Sequence, residues 1–307
     1  MNLRTSPAAT FFAFLFALLG AMLIAAIASP WVQAMLAPWH VFPLHRVFSR
    51  LTMLGVIGLT AWLMIHCGLA RREVLGYQRP PSQFFARAAV GLAAGLLLMS
   101  VALAPLFLLH VREWNVARLA QGSVLAYALK GLASGVLVAL IEETFFRGAM
   151  QGALMRQGAR RLALFAVPVF YAAVHFLGRA ESVPYDDVNA LSGFTALRGF
   201  FSGFAAPPRI LDAFVALYAV GLLLALVRRR WGDIAGCIGL HAGFVATIAV
   251  FRKISLPAPA GEWSFLVGSF DGLLGIWIAA LTALTCLAVA RSGRSAPSSQ
   301  NGLAITR

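Results

Sequence analysis

The sequence predicts an all-α membrane protein, a polytopic bundle of about eight transmembrane helices with both termini in the cytoplasm. Composition is the first reason, since 60% of the 307 residues are hydrophobic and only 12% are charged. Soluble domains contain roughly 45–50% apolar and about 25% charged residues. Long apolar runs are the second reason, because a spanning helix needs about 20 such residues. The placement of the arginines is the third, and a water-soluble enzyme is excluded.

The apolar runs predict eight spans in chain order. They lie at about 8–29, 47–70, 85–110, 124–156, 161–178, 209–228, 231–251 and 265–290. The first run could be mistaken for a secretory signal, but it is longer than the roughly 7–15 apolar residues of such a segment. We therefore expect an uncleaved anchor.

The net charge of +14, from 25 Lys and Arg against 11 Asp and Glu, indicates orientation. In a soluble protein this surplus would suggest nucleic acid, but no basic stripe interleaved with aromatic residues occurs, so we expect no nucleic-acid partner. Positive residues favour cytoplasmic loops. With both ends inside, the cytoplasmic segments carry Arg4, Arg71, Arg72, Arg79, Arg87, Arg156, Arg160, Arg161, Arg228, Arg229, Arg230, Arg291, Arg294 and Arg307.

Three regions follow from this organisation. Residues 1–120 form the N-terminal helices, residues 121–255 the chemically informative core, and residues 256–307 the last helix and a cytoplasmic tail. The core contains one long irregular stretch, 179–208, rich in Gly, Pro and Phe. We interpret it as an external loop with a short interfacial helix; a re-entrant or surface-lying lid is the alternative.

Three charged residues, Glu142, Glu143 and Arg147, lie within six consecutive positions of the fourth run. A charge at mid-bilayer costs roughly 2.5–3.5 kcal/mol on insertion scales, and such residues usually face the bundle interior. Glu143 and Arg147 are four residues apart and can pair on one helix face, which leaves Glu142 available. The alternatives are a purely structural ion-pair cluster, or a helix end with snorkelled charges.

Two histidines, His175 and His241, also lie in apolar runs. Measured from the basic or aromatic inner ends of their runs, Glu142 and His175 lie 14 residues in and His241 lies 10. These counts correspond to about 21, 21 and 15 Å of helix. The three side chains can therefore meet at one depth, provided that the fourth helix continues to about Arg156.

A carboxylate with two imidazoles away from bulk water suits hydrolysis. Glu142 can act as general base, His175 can orient the attacking water, and His241 can stabilise the oxyanion. Two His and one Glu are also a ligand set typical of zinc, although the chain has no HExxH helix. A catalytic serine is not supported, because there is no GxSxG.

Three motifs together resemble the CPBP family, the CAAX prenyl endopeptidases and bacteriocin-processing intramembrane proteases. Glu142–Arg147 matches the EExxxR motif, Tyr171–His175 is similar to FxxxH with Tyr for Phe, and His241–Val245 is similar to HxxxN. They occur in the family's order within an eight-helix chain.

The resemblance implies an intramembrane endopeptidase acting on a membrane-associated protein or peptide in the lipid bilayer, in the inner membrane of a bacterium. It implies that Glu142 and His175 activate water, that the last motif forms the oxyanion hole, and that Glu143 and Arg147 are a structural and polarising pair. Tyr171 would line the site. Either glutamate acts alone or Glu142, His175 and His241 hold one divalent metal such as zinc; no cofactor is certain.

Val245 departs from the family pattern, because valine offers an oxyanion no donor where asparagine would. Losing one such donor can cost a factor of about 10²–10³ in rate. The main alternative is therefore a non-catalytic membrane scaffold, or an immunity protein against bacteriocins, that keeps the protease fold. A proton-coupled transporter with a buried Glu–His relay is a further alternative, against which the lack of internal repeats counts.

Overall fold

A computed structural model describes residues 6–178 and 180–292 and is 77% helical. The predicted anchors Arg4, Arg294 and Arg307, and the first residue of the irregular stretch, Arg179, lie outside the described residues. The α-helices are α1 (Pro7–Leu36), α2 (Leu44–His66), α3 (Arg72–Leu75), α4 (Pro81–Leu103), α5 (Pro105–Leu108), α6 (Val116–Gln121), α7 (Val124–Glu143), α8 (Gln151–Arg156), α9 (Arg160–Val174), α10 (Ser192–Phe200), α11 (Pro207–Trp231), α12 (Ala235–Ile254) and α13 (Ile276–Ser292). A π-helix, Thr144–Met150, joins α7 to α8.

The prediction of an all-α polytopic bundle is confirmed. Within the described residues, six helices are long and apolar enough to cross a membrane: Pro7–Leu36, Leu44–His66, Pro81–Leu108, Val124–Arg156, Pro207–Trp231 and Ala235–Ile254. The chain is an integral membrane protein. The fourth span does continue to Arg156, as the depth argument requires, but it does so through the π-helix.

The fifth and eighth predicted spans are shorter than expected. Helix α9 has 15 residues and ends at Val174, so His175 caps the helix instead of lying within it. Helix α13 has 17 residues and begins only at Ile276. Before it, the Asp271 carboxylate accepts hydrogen bonds from two following backbone amides, at 2.9 and 2.7 Å. This turn takes the first part of the predicted apolar run out of the helix.

Small residues bring α4, α7 and α12 into close contact. A Cβ on Gly91 of α4 would lie 2.3 Å from the carbonyl oxygen of Gly236, and one on Gly239 of α12 would lie 1.9 Å from that of Ala88. On the other side, a Cβ on Gly135 of α7 would lie 2.7 Å from the carbonyl oxygen of Ala242. Small residues at four-residue spacing are typical of packed membrane helices. Here they fix α12 between α4 and α7, which places His241 beside the end of α7.

The remaining long helices form the other side of the bundle. Helices α1 and α2 pack as an antiparallel pair, and α11 packs against both α9 and α13. The irregular stretch contains α10, which lies on α1 so closely that a Cβ on Gly193 would meet the carbonyl oxygen of Ala26. The start of α10 is therefore held against α1.

A two-stranded antiparallel sheet, which the hydropathy pattern did not predict, joins two of the connections between helices. Strand β1 (Arg112–Trp114) pairs with β2 (Ser255–Pro257). The buried guanidinium of Arg112 donates to the Ser255 side chain at 3.1 and 3.2 Å. Burial lowers the pKa of Arg112 from its usual value. The sheet ties the end of α12 to the segment after α5.

Candidate active site

The two glutamates end α7, and the helix then widens into the π-helix that carries Arg147. Glu143 and Arg147 are completely buried, and Nη1 of Arg147 donates to Oε1 of Glu143 at 3.0 Å. Nη2 of Arg147 donates to the carbonyl oxygen of Gly221 on α11 at 3.0 Å. A buried charge is tolerated when it is paired and hydrogen-bonded, and these contacts supply both conditions.

Glu143 also binds His241, a contact that the sequence analysis missed. Nδ1 of His241 lies 2.8 Å from the same Oε1 atom. Because Glu143 already accepts from Arg147, it is the acceptor here as well, and Nδ1 donates. The tautomer of a histidine is set by such a hydrogen bond. The Nε2 atom of His241 is therefore directed at Glu142.

His175 is oriented in the same sense from the cap of α9. Its Nδ1 lies 2.8 Å from the carbonyl oxygen of Tyr171, one turn earlier. A carbonyl oxygen can only accept, so Nδ1 donates and Nε2 again faces Glu142. The Tyr171 ring lies under Arg147, with the guanidinium carbon 4.4 Å from the ring centroid, and its centroid is 4.5 Å from that of His175. Tyr171 is thus a wall of the cluster.

Glu142 lies between the two histidines. Its Oε2 is 4.0 Å from Nε2 of His175 and 3.9 Å from Nε2 of His241. The side chains of Glu142 and His175 are 29% and 27% exposed, whereas His241 is 4% exposed. Oε2 of Glu142 is itself buried and has no hydrogen-bond partner within the described part of the chain.

These separations are too long for direct hydrogen bonds, and they suit one water molecule that touches more than one of the three atoms. In the tautomers just derived, the Nε2 atoms and the carboxylate oxygen are all acceptors. A water donates two protons, so it can satisfy two of the three. The third atom then has no donor from that water. If it is Nε2 of His241, it can donate to a substrate oxygen only when both ring nitrogens carry a proton.

The same donor set fits a metal in its chemistry, but not in its spacing. Histidines that bind a metal usually donate their other N–H to a carboxylate or carbonyl, as His175 and His241 do here. Tetrahedral zinc, however, would bring its ligand atoms to within about 3.4 Å of one another. Among residues 6–178 and 180–292, no group of three or more His, Cys, Asp or Glu side chains has the spacing to hold an ion. At 3.9 and 4.0 Å from the two imidazoles, Glu142 does not complete a tetrahedral zinc site with them.

A cavity of about 710 Å³ opens beside Glu142. Its walls come mainly from α2, with further residues from α1, the end of α7 and the π-helix, and Phe200 of α10 and Val174 of α9 complete the lining. Ala70 and Leu75, from the connection between α2 and α4, also line it. Apart from Glu142 the polar lining residues are one serine and three threonines, Ser49, Thr52, Thr60 and Thr144. The cavity is suited to an apolar segment.

Val245 lies one turn beyond His241 on α12 and is half-buried. A Cβ on Gly135 of α7 would lie 3.4 Å from its Cβ. Val245 thus packs towards α7, two turns of that helix before Glu142, and it does not line the 710 Å³ cavity.

Sequence reasoning also missed two polar residues that support the cluster. Nε2 of Gln151 donates to the carbonyl oxygen of Ala225 on α11 at 3.1 Å. Arg228, expected at the cytoplasmic surface, is buried and donates to the carbonyl oxygen of Arg147 at 3.3 Å. An isolated glutamine in an apolar run was a signal for the first, whereas nothing in the run of three arginines distinguished Arg228.

Comparison with known proteins supports the family assignment. Residues 124–247 match the model of the Rce1-like family, the type II CAAX prenyl endopeptidases. The match covers about two-fifths of the chain and includes all three motifs, so the resemblance to CAAX-type proteases is confirmed over this segment. No curated protein and no solved structure matches the chain. The family indicates protease activity in general.

Proposed function

We propose that this protein is an intramembrane endopeptidase that hydrolyses a peptide bond of a membrane-embedded or membrane-adjacent protein. The observation that carries the proposal is the meeting of Glu142, His175 and His241 within 4.0 Å at the edge of an apolar cavity. The Rce1-like match supports the reaction class.

In the proposed reaction, a water donates one proton to Oε2 of Glu142 and the other to Nε2 of His175. This leaves a lone pair of the water oxygen for the carbonyl carbon of the scissile bond. As the C–O bond forms, Glu142 takes the first proton as general base. The carbonyl oxygen becomes an oxyanion, which accepts from Nε2–H of protonated His241. Glu142 then passes its proton to the leaving amine, and the C–N bond breaks to give an acid and an amine.

Glu143 and Arg147 act through His241 in this scheme. Oε1 of Glu143 accepts from both His241 and Arg147, so this carboxylate fixes the orientation of the His241 ring, and Arg147 holds the carboxylate in place. Preorganised donors of this kind contribute strongly to catalysis in a site shielded from water. The two neighbouring glutamates therefore have different tasks, one in proton transfer and one in orientation.

The cavity supports an apolar substrate segment that lies in or against the bilayer. The name of the matched family points to prenylated CAAX ends as one candidate class, and an unmodified transmembrane segment is another. We propose the inner membrane of a bacterium as the location, with the arginine-rich ends on the cytoplasmic side. Membrane fractionation and cysteine-accessibility labelling of the two termini test this placement.

The test uses the full chain in proteoliposomes with two internally quenched peptides, one with a prenylated CAAX end and one with an unmodified apolar transmembrane segment. We expect the wild type to cleave at least one peptide. Glu142→Gln, His175→Ala and His241→Ala should each lower turnover by at least about 10²-fold. Glu113→Gln and His66→Ala change exposed residues far along the chain and are the matched controls.

Circular dichroism and gel filtration show whether each variant remains folded. Full turnover by Glu142→Gln would contradict the mechanism. Loss of activity with a chelator, restored by zinc, would replace the glutamate-only version by one in which the three residues close around an ion.

The scaffold or immunity alternative is favoured by one residue, Val245, where the family pattern has asparagine. Under that alternative, a cell phenotype of the wild type would be unchanged by Glu142→Gln. Under the protease proposal the same substitution abolishes the phenotype.

A further inference from the structure

Arg228 lies in the last turn of α11, next to two other arginines, but its environment differs from theirs. It is 4% exposed, whereas Arg229 and Arg230 are exposed. The cytoplasmic anchor role expected from the sequence therefore suits the two exposed arginines and not Arg228. A buried arginine must find partners for its donors, since a charge without them is costly.

The Arg228 guanidinium binds three backbone carbonyls that belong to three segments. Nη2 donates to Val74 of α3 at 3.0 Å, and Nε donates to Arg147 of the π-helix at 3.3 Å. Nη1 donates to Gly232, in the turn that ends its own helix. A guanidinium presents its donors in a rigid fork, so these three carbonyls are held in one fixed arrangement.

The contact with Arg147 supplies a hydrogen-bond donor to a backbone carbonyl of the π-helix. In an α-helix the amide of Gln151 would donate to the carbonyl of Arg147, four residues back. Here that amide donates to the carbonyl of Phe146, five residues back. Arg228 gives the Arg147 carbonyl a donor in its place. Single-turn π-helices occur frequently at functional sites, and this one separates Glu143 from Gln151.

Helix α11 contacts the π-helix and the first residue of α8 through three hydrogen bonds. The carbonyls of Gly221 and Ala225 accept from the side chains of Arg147 and Gln151, and Arg228 donates back to the π-helix. Positions 221, 225 and 228 lie on one face of α11. Together they determine how far the π-helix is rotated, and hence where the Arg147 side chain meets Glu143.

The same arginine holds the segment that closes the cavity on one side. A Cβ on Gly152 would lie 2.2 Å from the Val74 carbonyl oxygen, and one on Gly148 would lie 2.9 Å from that of Leu75. The backbone of α3 therefore lies directly against the π-helix and α8. Leu75 lines the 710 Å³ cavity, so the contact from Arg228 to Val74 links this wall to the π-helix.

We propose that Arg228 is a positioning residue for the site, which holds the π-helix in the register that brings Arg147, Glu143 and His241 into line with Glu142. This inference rests on the proposed protease function. The hydrogen bonds of Arg228 reach backbone carbonyls and none of the side chains of Glu142, His175 or His241. It acts through the Arg147 carbonyl, and its loss should misplace the catalytic groups while leaving most of the cavity wall intact.

The test compares Arg228→Lys with Arg229→Lys, its exposed neighbour, in the full chain. A lysine carries its three donors on one nitrogen and cannot reproduce the spaced fork. We measure kcat and KM on the cleaved quenched peptide, and amide hydrogen exchange over residues 144–156. Because a misplacement of about 1 Å can cost 10²-fold, we expect Arg228→Lys to lower kcat by about 10- to 10²-fold with KM within about twofold. Exchange at 144–156 should rise, and Arg229→Lys should behave as wild type.

Hydrogen exchange needs no substrate, so it separates this inference from the proposed function. If the wild type cleaves neither peptide, the protease proposal fails, and the exchange of 144–156 still decides whether Arg228 holds the π-helix. Wild-type kcat and exchange in Arg228→Lys overturn the inference, as does a change confined to KM. If neither Arg228→Lys nor Arg228→Gln can be purified folded, Arg228 is required for the whole fold, and a specific positioning role is also overturned.

Discussion

Replacing either of the two neighbouring glutamates by glutamine should abolish cleavage, but only the change at Glu143 should cost much stability. Glu143 is completely buried, and its Oε1 accepts from Arg147 at 3.0 Å and from His241 at 2.8 Å. Glu143→Gln removes the carboxylate that pairs with Arg147 and leaves the buried guanidinium without that counter-charge. Breaking a buried pair in this way costs about 3–5 kcal/mol.

The same reasoning predicts a smaller loss of stability for Glu142→Gln. Its side chain is 29% exposed, and its Oε2 has no hydrogen-bond partner among the described residues. Glu142→Gln therefore breaks no hydrogen bond at that atom, and we expect a change of less than about 1 kcal/mol. The two variants should differ by about 2–5 kcal/mol, which is a factor of roughly 30–4,000 in the unfolding equilibrium constant.

The assay is reversible unfolding in mixed micelles, followed by tryptophan fluorescence, with the same preparations used for peptide cleavage. The substitution is the same at two adjacent positions, so effects of composition and charge cancel. Equal stability losses, or a larger loss in Glu142→Gln, would refute the assignment of Glu143 to structure and of Glu142 to proton transfer. Cleavage by Glu143→Gln at the wild-type rate would refute the orienting role of Glu143.

Two further predictions concern the support beneath the site. In Gly152→Ala the new Cβ would lie 2.2 Å from the Val74 carbonyl oxygen. We therefore expect the free energy of unfolding to fall by about 1–3 kcal/mol. Gly58→Ala is the control, since no described atom lies within 4 Å of its Cβ position. Comparable unfolding midpoints would contradict the close contact. Tyr77, at 2.6 Å from the Thr144 hydroxyl, has its pKa raised above the usual 10.0 by burial. The contribution of the Tyr77 hydroxyl to stability is present below pH 10.0 and is lost as the pH rises through the folded-state pKa. Tyr77→Phe should therefore lose less stability than the wild type when the pH is raised above 10.0. An unchanged dependence of stability on pH in Tyr77→Phe would disprove this prediction.

Much of the fold could be predicted because a bilayer imposes a simple rule on the sequence. Every spanning backbone must satisfy its own hydrogen bonds, so long apolar runs become helices. The rule failed at the fifth and eighth runs, where the chain turns at His175 and around Asp271. Both segments are apolar enough to extend a helix, and only their packing against neighbouring segments shows where the helices end.

The sequence predicted that the three side chains of the candidate site lie close together, but it misplaced one of them relative to its helix. The depth estimate placed Glu142, His175 and His241 together, and the structure has them within 4.0 Å. Yet His175 reaches Glu142 from the cap of a short helix, not from the middle of a span. Similar depth is necessary for contact between helices, but rotation about each helix axis decides which side chains meet.

The sequence by itself determined that the chain is a membrane protein. It also identified the few charged and imidazole side chains that lie within its apolar runs. Hydropathy and motif spacing are local properties, so they can be read without a fold. The tertiary structure alone decided that Glu143 binds His241, 98 positions away, that a π-helix carries Arg147, and that Arg228 is buried beneath it. Hydrogen bonds between helices that are distant in sequence depend on how closely small residues allow those helices to pack. A local sequence pattern does not determine that packing.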